Sequence, residues 1–195
     1  IEVMGRHSGY IALSTAYGRP DMLLVPEHPV DLEHLVERVK YLYDLQKNVV
    51  IVCGEGIVDS QGQELGAETK TTDPAGNMVL SGAADALRAR LIKMIGDKYF
   101  QLYRRGNSAS EAIFTRKVGH TQRGGRPILF DRFYAAQLGA ETVNMLAEGR
   151  NNAVSVLQYT KDNGFQVEGY DANRFRDRWG LIHARKMHPA LYDPV

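Results

Sequence analysis

The sequence predicts an α/β fold, and three observations point to it. Two short apolar runs, Met22-Leu23-Leu24-Val25 and Val49-Val50-Ile51-Val52-Cys53, have the length and side chains of buried strands. Between them, Leu32, Leu35, Val36, Val39 and Leu42 recur at helical spacing, so the segment reads strand, helix, strand. Further apolar runs alternate with helical patterns towards the C-terminus, as in a parallel sheet wrapped by helices.

Taken in order, residues 8–17 suit a helix with Ile11, Ala12, Thr15 and Ala16 on one face. Pro26 ends the strand at Met22–Val25, and Asp31 is placed to cap the next helix. The β-branched run at Val49–Cys53 is expected to be buried on both faces. Residues 56–80 are polar and glycine-rich, an excursion or hairpin with a turn at Asp73-Pro74-Ala75-Gly76-Asn77. A helix is expected from near Ser81 to Ile95, and a strand over Ala112–Val118 leading into a glycine-rich turn. Phe133, Ala136, Ala140 and Val143 mark a further helix that Gly149 can end, followed by a strand at Val154–Leu157. The tail after Thr160 has no clear pattern.

Composition narrows the function classes. With 195 residues, 44% of them hydrophobic, the chain can bury a substantial core. Lys and Arg number 24 against 23 Asp and Glu, a net charge of +1, which argues against a general nucleic-acid surface. The single cysteine, Cys53, lies in an apolar run, so no disulfide framework forms within the chain and an intracellular setting is expected. No apolar stretch approaches the roughly 20 residues that cross a membrane. The chain starts at Ile1 rather than Met, inside an apparent structural element, and is expected to be a fragment.

Three places carry candidate chemistry. In Met4-Gly5-Arg6-His7, a glycine at a strand-to-helix turn lets backbone approach a ligand, Arg6 offers a bidentate donor, and a following helix N-terminus favours an anion. Glu55, between Gly54 and Gly56, follows the strongest strand, and ligands of open α/β sheets bind beyond the carboxyl ends of strands. His120, Gln122 and Arg123 lie among Gly119, Gly124 and Gly125, with Arg116 and Lys117 on the approach; such donors in a flexible turn suit a phosphate. Alternation along a strand puts Phe114, Arg116 and Val118 on one face and Lys117 on the other. Each group also has a bland reading, as a tight turn, a solvated loop charge or a structural histidine. The basic cluster Arg174, Arg176, Arg178, Arg185 and Lys186 around Trp179 is interspersed with Asp171 and Asp177 and reads as a salt-bridged surface. His183 and His188 are too loose a pair for a metal site, and no catalytic base emerges from spacing alone.

In order and spacing, Met4-Gly5-Arg6, Glu55 and Gly119-His120-Thr121-Gln122-Arg123-Gly124-Gly125 resemble the phosphofructokinase family, and Pro127 and Phe130-Asp131-Arg132 continue the match over about residues 1–150. The resemblance implies a Rossmann-like layered sheet with helices on both faces. It implies a fructose 6-phosphate-binding α/β domain over 1–150, with 151–195 as an extension without a transferred role. By that analogy Met4, Gly5 and Glu55 contact the sugar, His120 and Arg123 hold its 6-phosphate, and Arg6 stabilises charge on the transferred phosphoryl group. The reaction implied is phosphoryl transfer to the 1-hydroxyl, giving fructose 1,6-bisphosphate in glycolysis, in a cytoplasmic homo-oligomer. Family members often carry an arginine six residues before the histidine that reaches a neighbouring subunit; here that residue is Phe114, and Arg116 is the substitute expected. The family's donor loop, magnesium-binding aspartate and catalytic base precede the segment like Ile1, so magnesium and the donor, ATP or pyrophosphate, would be held outside this chain and the chain alone would be inactive. The stretch 56–91 leans towards pyrophosphate. The competing readings are a non-catalytic sugar-phosphate sensor and, against the charge balance, a nucleic-acid-binding module.

Overall fold

The computed structural model describes residues 1–66, 82–103, 106, 108–176, 187 and 189–192, with His120 by its backbone alone. The expected turn at 73–77, the helix start at Ser81, the pair His183 and His188 and most of the basic cluster around Trp179 lie outside these residues. The chain divides into two compact units, Ile1–Gln122 with Arg185–Val195, and Arg123–Ala184. The expected domain boundary at 150 thus falls inside the second unit.

The first unit is built on a parallel sheet of β1 (Glu2–Val3), β2 (Met22–Leu24) and β3 (Ile51–Gly54), in the order β1-β3-β2. Met22, Leu23 and Leu24 pair with Ile51, Val52 and Cys53, and Glu2 and Val3 pair with Cys53 and Gly54. Strand alternation then sorts the side chains into two layers. Met22, Leu24, Ile51 and Cys53 pack with helices α2 (Leu32–Gln46), α3 (Ala83–Ile95) and α4 (Asp97–Gln101) in one core. Val3, Leu23, Val25 and Val52 pack with Ala12 of α1 (Tyr10–Ser14) and with Met187 in a second. Helices therefore lie on both faces of the sheet, as expected.

Local signals explain most of these elements. Asp31 accepts from the amides of Glu33 and His34 at 3.0 and 3.1 Å, capping α2, and Leu35, Val36, Val39 and Leu42 are its buried stripe. The helix expected over 8–17 is only five residues long and tightens into a 3₁₀ turn at Thr15–Gly18, because Ser14 and Thr15 turn their hydroxyls back onto the carbonyls of Ile11 and Ala12. The strand expected over Ala112–Val118 is a correction. Its first residue ends the short helix α5 (Ala109–Ala112), and only Lys117 forms a bridge, parallel to Glu2. A Ser108–Glu111 capping box captures the start of that segment as helix. In the polar excursion after β3, the hairpin is reduced among the described residues to one bridge between Val58 and Glu64.

The second unit holds α6 (Leu129–Ala147) and an antiparallel hairpin of β4 (Ala153–Thr160) and β5 (Gly164–Asp171). Where the sequence after Thr160 shows no clear pattern, residues 161–175 form the hairpin turn, β5 and a 3₁₀ turn over Ala172–Phe175. The three-residue loop 161–163 with Gly164 at φ 67° is a hairpin turn whose left-handed position favours glycine. Phe130, Tyr134, Thr142 and Met145 face the hairpin: the Phe130 and Tyr134 rings lie 5.4 and 5.8 Å from that of Phe165, and Thr142 is 3.0 Å from Ser155. Phe133, Ala136, Ala140 and Val143, the residues that mark this helix in the sequence, are all exposed. The helix is apolar on both sides, so periodicity alone cannot name the packed one.

Candidate functional site

Parallel pairing of β1 and β3 brings residues 4–6 and Glu55 to one edge of the sheet, beyond the carboxyl ends of the strands. The Glu55 amide donates to the Val3 carbonyl at 3.0 Å, extending the ladder by one residue. The Gly5 amide in turn donates to Glu55 Oε1 at 3.2 Å. Gly5 has φ 141°, a backbone that side chains rarely allow, and this turns Met4-Gly5-Arg6 across the strand ends. The loops then interlock closely. A Cβ on Gly56 would lie 1.7 Å from the Arg6 carbonyl oxygen, and one on Gly54 would lie 3.3 Å from that of Gly5. The glycines around Glu55 are thus needed for the approach of the arginine loop, a role not apparent from their turn propensity.

The third motif reaches the same edge by its backbone. Glu2 accepts from the Val118 amide at 3.0 Å and donates to the Arg116 carbonyl at 2.8 Å, so the chain leaves the bridge at Lys117 in the direction of β1. It then forms a 3₁₀ turn over Gly119–Arg123, entered through Gly119 at φ 62°. Nothing is described of the His120 side chain. Arg123 is exposed and belongs to the second unit. Among the described residues, neither Arg6 nor Arg123 has a hydrogen-bond or ion-pair partner, and the Ser8 hydroxyl and both amide atoms of Gln122 are buried without one. Buried polar atoms without partners are uncommon in native proteins and mark places that a ligand or water completes.

The two cations on the approach are engaged elsewhere. Lys117 Nζ lies 3.3 Å from Oε1 of Glu2, a carboxylate only 2% exposed, whose other oxygen accepts from the Ala84 amide at 3.0 Å in the first turn of α3. Lys117 therefore neutralises a buried charge. The Arg116 guanidinium stacks on the Phe114 ring at 5.5 Å and donates to the Thr115 carbonyl at 2.9 Å, beside Ile1 and Val50 at the amino end of the sheet. The structure does not bring Arg116 to Met4, Gly5 and Glu55. The anion expected at the start of α1 is supplied by the protein itself: both Glu27 oxygens lie 3.0 Å from the Gly9 amide, and one accepts from Met187 at 3.1 Å.

Glu2 and Glu27 were not singled out in the sequence, although a glutamate within the apolar opening of a strand is a usable signal. No group of three or more His, Cys, Asp or Glu among the described residues could hold a metal ion. The Cys53 thiol is pushed up to about 12, mainly by burial, which leaves it an inert core residue. No described helix is long and apolar enough to cross a membrane.

Comparison with known proteins places these residues in context. The sequence pattern of the phosphofructokinase family, described as "Phosphofructokinase", matches residues 1–146. A pyrophosphate–fructose 6-phosphate 1-phosphotransferase of Amycolatopsis methanolica is 33% identical over 161 residues, covering 82% of this chain and 43% of that protein. An ATP-dependent 6-phosphofructokinase of Corynebacterium efficiens is 28% identical over 160 residues, covering 81% and 42%. This chain spans about half the length, or less, of these relatives. The crystal structure of a pyrophosphate-dependent phosphofructokinase from Marinobacter aquaeolei superposes with a TM-score of 0.59 at 20% identity, covering 94% of this chain and 44% of that one, which shows the shared fold. Fold, motif order and family pattern agree: the chain belongs to the phosphofructokinase family.

Proposed function

We propose that this chain supplies the fructose 6-phosphate side of a phosphofructokinase site. The observation that carries this reading is the Gly5–Glu55 hydrogen bond, which fixes Met4, Gly5, Arg6 and a loop carboxylate together at the carboxyl ends of β1 and β3. A carboxylate held by one backbone amide keeps lone pairs for sugar hydroxyls. Arg6, without a described protein partner, is a charge available to a phosphoryl group. His120 and Arg123, in the glycine-rich turn, are the proposed 6-phosphate contacts, and the buried amide of Gln122 supports a polar ligand near that turn. Arg116 stays outside this set unless a neighbouring subunit brings its own sugar site to the guanidinium.

The chain's contribution is to bind and orient the acceptor and to place the Arg6 charge where negative charge gathers during transfer, the positioning and electrostatic work on which phosphoryl transfer depends. Magnesium, which the family implies, does not fit the described residues, since Glu55 stands without further clustered carboxylates. The phosphoryl donor is proposed as pyrophosphate or ATP bound outside this chain, with relatives of both names supporting either and the stretch 56–91 favouring pyrophosphate. Glycolysis, a cytoplasmic setting and a homo-oligomer belong to the same proposal.

Calorimetric titration of the 195-residue chain with fructose 6-phosphate tests the reading. Binding in about the millimolar range is expected, weakened about tenfold or more by Glu55→Ala and by Arg6→Ala. Silence of the wild-type chain, or binding untouched by both substitutions, refutes it. Binding that never supports turnover when the rest of a phosphofructokinase is supplied selects the sensor reading.

A further inference from the structure

The loop that carries Arg6 crosses the strand ends of the first unit in their spatial order, β1 to β3 to β2. Leaving β1, it meets Glu55, which follows β3, through the Gly5 amide, and then Glu27, which follows β2, through the Gly9 amide. Both Glu27 oxygens lie 3.0 Å from that amide, and Oε1 also accepts from the Met187 amide at 3.1 Å. Among the described residues the amides of Arg6, His7 and Ser8 have no acceptor, so this stretch is strung between two carboxylate anchors.

Glu27 is itself fixed in place. Val25-Pro26-Glu27-His28 forms a turn closed by the His28 amide on the Val25 carbonyl at 3.2 Å, with proline where its fixed φ suits a turn and Val25 buried. Pro26 packs beside Gly54, where a Cβ would lie 3.2 Å from its Cδ, so the Glu27 turn and the Glu55 loop touch. Gly9 is closed in as well: a Cβ there would meet Val25 Cβ at 2.6 Å and Met187 Cε at 2.8 Å. Met187, 2% exposed, lies in one core with Val3, Val25 and Val52. A loop held at both ends by rigid neighbours gives the residues between them little freedom, and charge placement depends on such restraint.

We propose that Glu27 is a positioning residue for Arg6, and that Met187, in the extension to which the family resemblance assigns no role, is the other half of its clamp. The inference rests on the acceptor-site reading of Met4, Gly5, Arg6 and Glu55, since the charge being positioned is the one offered to a phosphoryl group. Glu27 acts through the Gly9 amide, whose position sets where residues 6–8 run. The Glu27 side chain spans from its turn to the loop, and one of its oxygens serves both the Gly9 and Met187 amides. A glutamine carbonyl oxygen also has two lone pairs and can take both amides, so the clamp requires an acceptor of this length rather than a charge.

The test compares Glu27→Ala, Glu27→Gln and Met187→Ala in the 195-residue chain. Amide hydrogen exchange of Gly5 is read by NMR beside that of Leu35 and Leu91 in the helical core, and fructose 6-phosphate is titrated by calorimetry. Gly5 keeps its own acceptor, Glu55, in every variant, so faster exchange there reports a loosened loop and not a lost partner. Glu27→Ala should speed Gly5 about tenfold or more relative to Leu35 and Leu91, and weaken sugar-phosphate binding by a similar factor. Glu27→Gln should bring both back to within about threefold of wild type. Met187→Ala, which keeps the carboxylate, should speed Gly5 in the same direction, and it decides the matter if Glu27→Ala does not fold. Equal acceleration of Gly5, Leu35 and Leu91, an unchanged Gly5, or Glu27→Gln behaving like Glu27→Ala overturns the proposal. Silence of the wild-type chain towards fructose 6-phosphate overturns the acceptor reading instead, and Gly5 exchange then decides the clamp by itself.

Discussion

Gly56→Ala tests the interlocked loops directly. A Cβ at this position would meet the Arg6 carbonyl oxygen at 1.7 Å and its carbonyl carbon at 2.6 Å, both backbone atoms that cannot rotate away. A tolerable carbon–oxygen separation is about 3.3 Å, so the Arg6 peptide must retreat by about 1.6 Å. The Gly5–Glu55 bond, already 3.2 Å long, would then exceed hydrogen-bonding reach. Overpacking of this kind costs about 1–3 kcal/mol, or roughly 5 °C in melting temperature for a chain of this size. Displacing Met4 and Arg6 by more than about 1 Å should reduce fructose 6-phosphate affinity by about two orders of magnitude. The assay is urea unfolding and sugar-phosphate titration of Gly56→Ala beside Gly18→Ala, a site with open space within 4 Å and no left-handed backbone. The control should stay within about 0.5 kcal/mol of wild type. If Gly56→Ala does the same and binds like wild type, the loops do not interlock as described.

Three further outcomes are expected. Lys117→Met should destabilise by about 3 kcal/mol because it leaves Glu2 charged and buried, and adding Glu2→Gln should recover part of the loss; additive costs in a urea double-mutant cycle would contradict the ion pair. Hydrogen bonds from the Val50 amide, and secondly from Gln46, hold the Asp21 carboxyl below the ordinary 3.8, so its stabilisation is fully present above that pH and is lost as pH falls through its lowered folded value. Asp21→Asn should therefore flatten the fall of the urea midpoint below about pH 4, and an unchanged acid limb would refute this. Cys53, 1% exposed with its thiol raised to about 12, should react with thiol reagents only at the rate of opening, so rapid labelling of the native chain would exclude its placement in the core.

Much of the first unit could be read from local pattern, because local physics decides it. Asp31 caps α2 by its own side chain, and the Ile51–Cys53 part of the apolar run forms a strand with a partner on each side, whereas Val49 and Val50 lie ahead of it and Val50 is exposed. The proposed acceptor residues were legible as motifs for a similar reason: Met4-Gly5-Arg6, Glu55 and the turn at Gly119–Gly125 each need backbone freedom beside a polar group, and glycine signals that in one dimension. The segment 112–118 was not legible, since a capping box at Ser108 and one bridge at Lys117 outweighed its strand propensity. The apolar stripe of α6 failed for another reason, as a helix apolar on both sides carries no record of which side is packed.

What the sequence determined by itself is the list of groups with phosphate and sugar chemistry and the α/β frame that holds them. Tertiary structure decided which of those groups are available. Lys117 and Arg116 read as cations converging on the glycine-rich turn, yet one is drawn to a buried Glu2 and the other to the Phe114 ring, while the helix start expected to hold an anion is taken by Glu27. Charge pairing depends on through-space distance, which sequence spacing does not encode. Arg6 and Glu55, 49 positions apart, meet at one edge only because parallel pairing of β1 with β3 aligns their strand ends.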